Sequence, residues 1–461
     1  MNIHSGTGTD TPDRSQNTPA FPQHNTPAFP QRNTRFFSQR GKTDFYQNIT
    51  IALLTVSAVL LFARTDLCRI GTQIVQDMFQ LFPEELVQPE PLPETVPLTA
   101  PVRVAVTGTF GRYATVTRVT GGSTFRLLSD ALHSDGELVP SRRAAFLRAL
   151  DSMSLYYDFL HPLPLSLLAG LASASPPAER SLPGYDEPVR CAILAREGSS
   201  AALYLWDGGE KYYRRDAPVS ILDIEEEVGY YDRSNAFFAM DQAPSDDIYQ
   251  KIAPLSLLLM EEPVLPVLSV KNSLADTERL LTALRFNPLT NSRYPEANGT
   301  EVIVEDGRSV RIRTNGSVYY QSGGKAELNV ECSGEIPTPW EAASGGAALL
   351  NAILSPESEA AIYPLEVRQE ETRTFLRFGY QIGGIPVRFP DGGSAAVMTL
   401  DGSGVSMLEL RPRQYTATGE TSLLLPLRQA LAVMGNGAER ELSISYTDTD
   451  DKRLEAGWIA G

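Results

Sequence analysis

The sequence predicts an α+β protein, in which antiparallel sheets are each covered by helices, behind a single N-terminal transmembrane helix. Short stretches of alternating apolar and polar residues recur after residue 101 and are separated by turn residues. Stretches with helical periodicity follow these groups of strands. One long apolar run without charges lies near the N-terminus.

The apolar run, Ile49–Ala63, predicts a transmembrane helix over residues 47–64. A helix needs roughly 20 apolar residues to cross a hydrocarbon core of about 30 Å. Interfacial anchoring by flanking residues, including Arg64, makes up the small deficit in length. A signal peptide would begin close to the N-terminus and end in small residues. Leu61 occupies a position where cleavage needs a small side chain, so we expect the helix to be retained.

The charges that flank the span predict its orientation. Four basic residues lie just before it: Arg32, Arg35, Arg40 and Lys42. Because cytoplasmic flanks are enriched in Lys and Arg, we expect the N-terminus in the cytoplasm. The sequence therefore predicts a single-pass protein of the cell membrane, with its C-terminal bulk outside the cytoplasm.

Charge is distributed unevenly over the 461 residues, whose formal net charge is −16. Residues 1–46 carry five Lys or Arg against three Asp or Glu, whereas the rest of the chain carries 35 against 53. An acidic exterior repels polyanions, so we expect no nucleic-acid partner. Three cysteines are too few for a disulfide framework. Two alternatives stay open, a Cys191–Cys332 bridge or buried free thiols.

The N-terminal segments are predicted to lack a folded core. Residues 1–46 form a disordered cytoplasmic tail with the octapeptides NTPAFPQH (17–24), NTPAFPQR (25–32) and NTRFFSQR (33–40). Residues 65–101 are predicted to be an amphipathic stem and a linker rich in Pro and Glu.

Three extracytoplasmic α+β units are predicted to follow, at residues 102–265, 266–356 and 357–461. In the first, Ser141 is a candidate cap for a helix over 141–154, and the DGG turn at 207–209 indicates a hairpin. The other strands predicted there are 102–106 and 115–119.

The second and third units are predicted from clearer turn signals, including Asp306-Gly307 and Asn315-Gly316. Ser273–Asp276 indicates a capping box that opens a helix ending at Leu284. The predicted strands are 301–305, 309–313, 317–321, 326–332, 362–369, 373–380, 385–389, 395–400, 405–410 and 441–446. The other predicted helices are 339–354 and 424–434.

No catalytic constellation is evident. His133 and His161 are the only histidines after the predicted span, and the chain lacks HExxH, GxSxG, CxxC and phosphate-loop motifs. We therefore expect no catalytic residues, no cofactor and no metal site. The acidic runs at 223–227 and 448–451 are interpreted as solvated surface. Paired carboxylates for an acid-pair hydrolase stay open, because the separation that they need is spatial.

Several stretches resemble the YycH/YycI family of membrane regulators. They are Leu284–Pro288, Gly299–Gly307, Val310–Ile312, Gly316–Tyr320, Phe378–Val387, Leu425–Ala430 and Trp458. The resemblance covers about residues 270–461 and the membrane anchor, and the length is closer to YycH than to YycI. The long repeat-bearing tail departs from the short cytoplasmic segment of that family.

The resemblance implies a non-enzymatic regulator of a WalK/YycG-like sensor histidine kinase, acting with a YycI-like sister protein partly through transmembrane helices. Helix packing in lipid uses small and hydroxylated residues. Thr50, Leu54, Ser57 and Leu61 lie on one face of the predicted helix and are the candidate contact residues. The same face could instead contact lipid, with both hydroxyls bonded to their own backbone. A wall-associated binding protein is the other alternative, and the sign of regulation stays open.

Overall fold

The computed structural model of the protein describes most of the chain after residue 97. The described residues are 98–118, 123–173, 186–271, 274, 276–287, 292–324, 328–434, 440–449 and 451–461. The predicted tail, the predicted transmembrane helix and most of the predicted stem and linker lie outside them. Within these ranges, no helix is both long enough and apolar enough to span a bilayer. The predicted linker extends too far, because Leu98 and Ala100 are buried and Pro101 begins a strand.

The described residues form an α+β fold with mostly antiparallel sheets, which confirms the predicted class at that level. The first sheet contains nine strands, in the order β3-β7-β6-β5-β4-β1-β2-β8-β9. Their bounds are β1 Pro101–Gly108, β2 Gly111–Arg118, β3 Val139–Ser141, β4 Ser154–Pro164, β5 Pro188–Glu197, β6 Ser200–Trp206, β7 Tyr212–Ala217, β8 Ala236–Phe238 and β9 Leu257–Leu259. The predicted hairpin is confirmed by the pairing of β6 with β7.

Helices cover both faces of this first sheet. Successive side chains of a strand point to opposite faces, so Tyr157 belongs to the main core while Tyr156 packs in a second cluster with Phe146. The predicted cap is wrong, because Ser141 ends β3 and the helix begins two residues later, at Arg143. The helices in this part are α1 Ser123–Leu132, α2 Arg143–Asp151, α3 Leu165–Ser173, α4 Ile221–Gly229, α5 Ala239–Gln242 and a 3₁₀ helix at Asp247–Lys251.

A fully buried arginine satisfies the C-terminal end of α1. Arg215 of β7 donates hydrogen bonds to the carbonyls of Ala131, Leu132 and Ser134 at 3.3, 2.9 and 3.0 Å. The last carbonyls of a helix have no partner within the helix and must find one elsewhere. Arg215 therefore fixes α1 against the sheet.

A small sheet follows, in which β10 Pro266–Lys271 lies between β20 Gln414–Thr421 and β22 Arg453–Leu454. The helix predicted after the capping box is present as α6 Thr277–Ala283. The predicted capping box is wrong, because the N-cap is Asp276 itself, whose carboxylate accepts a hydrogen bond from the Glu278 amide at 2.8 Å.

The largest sheet contains eleven strands, in the order β11-β12-β13-β14-β19-β18-β16-β17-β21-β23, with β15 beside β16. All pairs are antiparallel except β17 with β21. The bounds are β11 Ser292–Pro295, β12 Glu301–Glu305, β13 Arg308–Ile312, β14 Val318–Gln321, β15 Ala361–Glu370, β16 Arg373–Ile382, β17 Ile385–Arg388, β18 Ala396–Asp401, β19 Gly404–Leu410, β21 Leu442–Thr447 and β23 Ala456–Ala460.

Two sequence predictions fail in this sheet. The strand predicted at 326–332 is reduced, in its described part, to a single bridge between Asn329 and Gly404. The predicted units 266–356 and 357–461 are not separate sheets, because β14 pairs with β19 over Val318–Gln321 and Met407–Leu410. That pairing joins distant segments of the chain, and no local pattern specifies it.

Two helices complete the described fold, α7 Pro339–Ile353 and α8 Leu427–Val433. Thr338 and Glu341 form a capping box at the start of α7. One continuous hydrophobic core includes residues of the first and the largest sheet. Within it, α3 and α7 approach so closely that a Cβ added to Gly170 would lie 2.2 Å from Cε3 of Trp340. The predicted unit 102–265 therefore shares its core with the rest of the described chain.

This close approach predicts that Gly170→Ala destabilises the protein. Overpacking a tight core contact typically costs about 1–3 kcal/mol, which exceeds the gain of about 1 kcal/mol in helix propensity. We expect a lower urea midpoint for the variant. Gly229→Ala is the matched control, since a Cβ there, at the end of α4, meets no atom within 4 Å. Equal midpoints for Gly170→Ala and wild type would contradict the proposed contact.

Candidate functional site

A cleft of about 1230 Å³ opens between the first sheet and the last strands of the largest sheet. Elements β1, β4, β5 and β6 contribute one wall, and β17, β21 and β23 contribute the other. We call it the inter-sheet cleft, and its lining includes Arg103, Asp158, Arg190, Trp206, Pro386 and Ser443.

Asp158 lies at the centre of the polar lining of this cleft. It is only 1 % exposed, and it is the last residue of β4 that pairs with β5 before the register shifts. Its carboxylate accepts hydrogen bonds from Nε and Nη2 of Arg190, at 3.1 and 3.2 Å, and another from Arg103. The amide of Leu160 also donates to it, at 2.9 Å. Leu160 has a φ of 67°, a conformation that is unfavourable for a leucine and that often marks functional sites.

Glu441 completes the charge network from the other side of the cleft. It immediately precedes β21 and accepts hydrogen bonds from both Arg103 and Arg190. Two carboxylates and two guanidinium groups therefore alternate across the boundary between the sheets. Nε and Nη1 of Arg103 have no hydrogen-bond partner among the described residues.

The charge states in this network follow from its geometry. Burial alone would raise the pKa of Asp158, but the guanidinium groups of Arg103 and Arg190 outweigh it and hold that pKa well below the usual range. Burial likewise opposes the charge of Arg103, yet the two carboxylates raise its pKa. A hydrolytic acid pair needs one carboxyl group whose pKa is raised, so that it can donate a proton. Asp158 is held in the opposite state, so it cannot be the proton donor of such a pair.

His161 lines the same cleft three residues after Asp158. Desolvation, followed by the positive charges of Arg388 and Arg190, lowers its pKa from 6.5 to about 4. The imidazole is therefore neutral near pH 7. The sequence had singled out this histidine only as an isolated residue.

Aromatic side chains line the part of the cleft near β6 and β7. Trp206 and Tyr212 are stacked nearly parallel, with ring centroids 6.0 Å apart and an interplanar angle of 7°. The guanidinium carbon of Arg190 lies 5.8 Å from the centroid of the Trp206 ring. This arrangement combines a flat apolar surface with a cation beside it.

The described cysteines are free and Cys191 is unreactive. It is buried, and its Sγ lies 3.2 Å from the hydroxyl of Tyr156. Burial raises the pKa of the Cys191 thiol well above its usual range, so it stays protonated. Cys332 is partly exposed and donates to the Gly334 carbonyl at 2.9 Å.

The interpretation of the acidic runs as solvated surface is wrong at two positions. Glu227 is buried and accepts a hydrogen bond from the Thr124 hydroxyl at 2.6 Å. Asp448 is buried as well, and Arg413 and Tyr415 donate to its Oδ2 at 3.0 and 2.8 Å. Both carboxylates are anchored within the fold. The described residues contain no group of three or more His, Cys, Asp or Glu that could hold a metal ion.

A second feature is an exposed apolar surface around α8. Leu423 is 90 % exposed, Val433 is 79 % exposed, and Leu425 is also exposed. With Met434 and Trp458 they border a shallow cavity of about 290 Å³. The indole N–H of Trp458 donates to the Leu425 carbonyl at 2.7 Å. We call this surface, comprising these five residues, the apolar patch.

The residues predicted to mediate contacts, Thr50, Leu54, Ser57 and Leu61, lie outside the described residues. Sequence reasoning missed the inter-sheet cleft, because its charged residues are spread from Arg103 to Glu441. One signal was available. Asp158 interrupts the apolar stretch of β4, where an unpaired acid would be costly to bury.

The depressed pKa of His161 predicts a pH-dependent stability. His161 binds a proton more tightly in the unfolded chain than in the folded chain. Its contribution to the free energy of unfolding is therefore complete above about pH 6.5 and is lost as the pH falls towards 4. The loss is at most about 3 kcal/mol. We expect His161→Gln to reduce the difference in unfolding free energy between pH 7.5 and pH 4.5. His133→Gln, outside the cleft, is the control, and an unchanged difference in His161→Gln would count against this account.

Comparisons with known proteins add no relative. No family model matches the sequence, no curated protein matches it significantly, and no solved structure matches the fold significantly. The resemblance to the YycH/YycI family therefore stays a prediction from the sequence.

Proposed function

We propose that the chain is a membrane-anchored, non-catalytic regulator of a cell-envelope sensor histidine kinase and acts through contacts with other proteins. The observation that carries this proposal is the apolar patch. Large apolar side chains that are exposed together in one place are typical of surfaces that bind a partner. Leu423 and Val433 each expose more than three quarters of their surface beside a shallow cavity.

The inter-sheet cleft supports the non-catalytic part of the proposal. Its buried carboxylate, Asp158, is held ionised by two guanidinium groups, and Glu441 is bonded to the same two. Burial, and then the charges of Arg388 and Arg190, lower the pKa of His161 and disfavour its protonated form. These groups hold fixed charges and are poorly arranged for transferring protons at neutral pH.

The partners and the membrane anchor come from the sequence. The apolar run at 49–63 and the resemblance favour a WalK/YycG-like kinase and a YycI-like sister protein as partners. A regulator can shift a kinase between two states only if it binds them with different affinities. The apolar patch and the predicted helix face each offer a surface for such a contact.

We expect the variant Leu423→Ser/Val433→Ser to lose affinity for its partner. Removing two exposed apolar anchors of an interface should raise Kd by at least about tenfold, which corresponds to 1.4 kcal/mol. Binding can be measured with the full chain and the kinase, each reconstituted in nanodiscs, with and without the sister protein. Because both side chains are exposed, the melting temperature should stay that of wild type.

Leu222→Ser is the matched control for this experiment. Leu222 is 71 % exposed on α4 and lies outside the apolar patch. It should leave the affinity unchanged. If the patch variant and the Leu222 variant bind the kinase and the sister protein as wild type does, the patch is not the contact surface.

A separate prediction concerns the transmembrane face. We expect Thr50→Leu/Ser57→Leu to change the output of a reporter gene controlled by the kinase, since hydroxylated residues support close helix packing in lipid. Thr55→Leu is the control, because this residue lies on another face of the predicted helix. Membrane levels of all variants should be equal by immunoblot. The same output from the double variant and wild type would argue that this face contacts lipid.

A further inference from the structure

We propose that the inter-sheet cleft is a binding site for a small organic anion, in which a phosphate or carboxylate is attached to a flat or apolar ring. Among the described residues this site shares only Trp458 with the apolar patch, and it goes beyond the proposed function. The inference rests on the charges of the lining, a helix terminus, a buried arginine and an aromatic surface.

The side chains that line the cleft carry a net positive charge. Five arginine and three acidic side chains line the cleft, although the whole chain carries a formal charge of −16. Asp158 and Glu441 are already bonded to Arg103 and Arg190. Arg142 and Arg388 form no ion pair with any described residue.

Those two arginines are exposed and line the cleft, Arg142 between β3 and α2 and Arg388 at the end of β17. A guanidinium group binds a carboxylate or a phosphate through two parallel hydrogen bonds. A cleft with a net positive lining in an acidic protein also concentrates anions. The charges therefore favour an anionic ligand over a neutral or cationic one.

The start of α2 adds a second source of positive potential. Ser141, Arg142 and Arg143 all line the cleft, and α2 begins at Arg143. No side chain caps this nine-residue helix, since the N-cap residue, Arg142, makes no such hydrogen bond. The free amides and the dipole of a helix N-terminus favour a bound oxyanion.

The guanidinium group of Arg103 is buried in the wall of the cleft. It is 6 % exposed, it lines the cleft, and two of its nitrogens lack partners among the described residues. A buried donor without a partner is uncommon in a folded protein. An oxyanion bound in the cleft would supply the missing acceptor for these nitrogens.

The aromatic surface indicates what the anionic group is attached to. Trp206 and Tyr212 present a stacked pair to the cleft, and Leu257 and Ile444 add aliphatic surface. The volume of about 1230 Å³ exceeds the roughly 300–1,000 Å³ that is typical of small-molecule sites. An isolated oxyanion would leave most of this space and the apolar lining unused.

The test measures binding of phenyl phosphate to the full chain in detergent at 150 mM NaCl, by calorimetry. We expect a Kd of about 1 mM or tighter, and a Kd at least tenfold weaker for inorganic phosphate and for phenol. Arg142→Gln and Arg388→Gln should each weaken binding about tenfold. Arg148→Gln is the matched control, because Arg148 is exposed on α2 and does not line the cleft. Circular dichroism should be the same for all variants.

An independent readout is the titration of His161 by NMR. A bound anion offsets the positive charges of Arg388 and Arg190, so the pKa of His161 should rise from about 4 when phenyl phosphate binds. Asp158 and Arg377 also face this imidazole, and their effect on the pKa of His161 should be the same in the free and the bound chain.

Three results would overturn the proposal. The first is that phenol and phenyl phosphate bind with equal affinity, and the second is that both arginine variants bind phenyl phosphate as wild type does. The third is that a peptide of six glutamates binds more tightly than phenyl phosphate and competes with it. The last result would identify the cleft as a groove for an acidic polypeptide. Leu423→Ser/Val433→Ser should leave phenyl phosphate binding intact, so failure of this proposal and failure of the proposed function can be told apart.

Discussion

Burial of the Asp158 carboxylate is the constraint on which the arrangement of the cleft depends. A carboxylate that is 1 % exposed needs compensating charges, since an unpaired one costs several kcal/mol. The neighbouring strands β1 and β5 supply Arg103 and Arg190. These guanidinium groups then need a second acid, and Glu441 provides it from a position 338 residues after Arg103. Electrostatics thus holds the last part of the chain against the central strands β1, β4 and β5 of the first sheet.

A second, apolar contact holds the same parts together elsewhere. Gly170 in α3 lets Trp340 of α7 approach the helix backbone, within a core that extends through both large sheets. The contact between Gly170 and Trp340 is stabilised by apolar burial, and the network around Asp158 by charge pairing. The space left between the sheets is the cleft. Because both are continuous with the body of the protein, we infer that the cleft is largely preformed. Preformed sites lose less conformational entropy when a ligand binds.

Local sequence signals predicted much of the secondary structure, but they did not predict which distant strands pair with each other. The Asp306-Gly307 turn has positive φ at both residues, the geometry that this dipeptide favours, and the strands on either side were predicted correctly. The predicted boundary near residue 356 failed because β14 pairs with β19, a contact that neither strand encodes locally. The cleft was missed for the same reason, since its four network residues lie on four separate segments. Asp158, within an apolar strand, was the only local sign of it.

Trp458 is the described residue that lines both the inter-sheet cleft and the cavity of the apolar patch. Its indole N–H is bonded to the Leu425 carbonyl, so the patch constrains where this ring can lie. Coupling between two sites is reciprocal in free energy. If an anion displaces Trp458 when it binds the cleft, it changes the affinity of the patch for the proposed partner. The partner then changes the affinity of the cleft for the anion by the same factor. An anion that binds near Trp206 and leaves Trp458 in place lacks this route of coupling, because no other described residue lines both cavities.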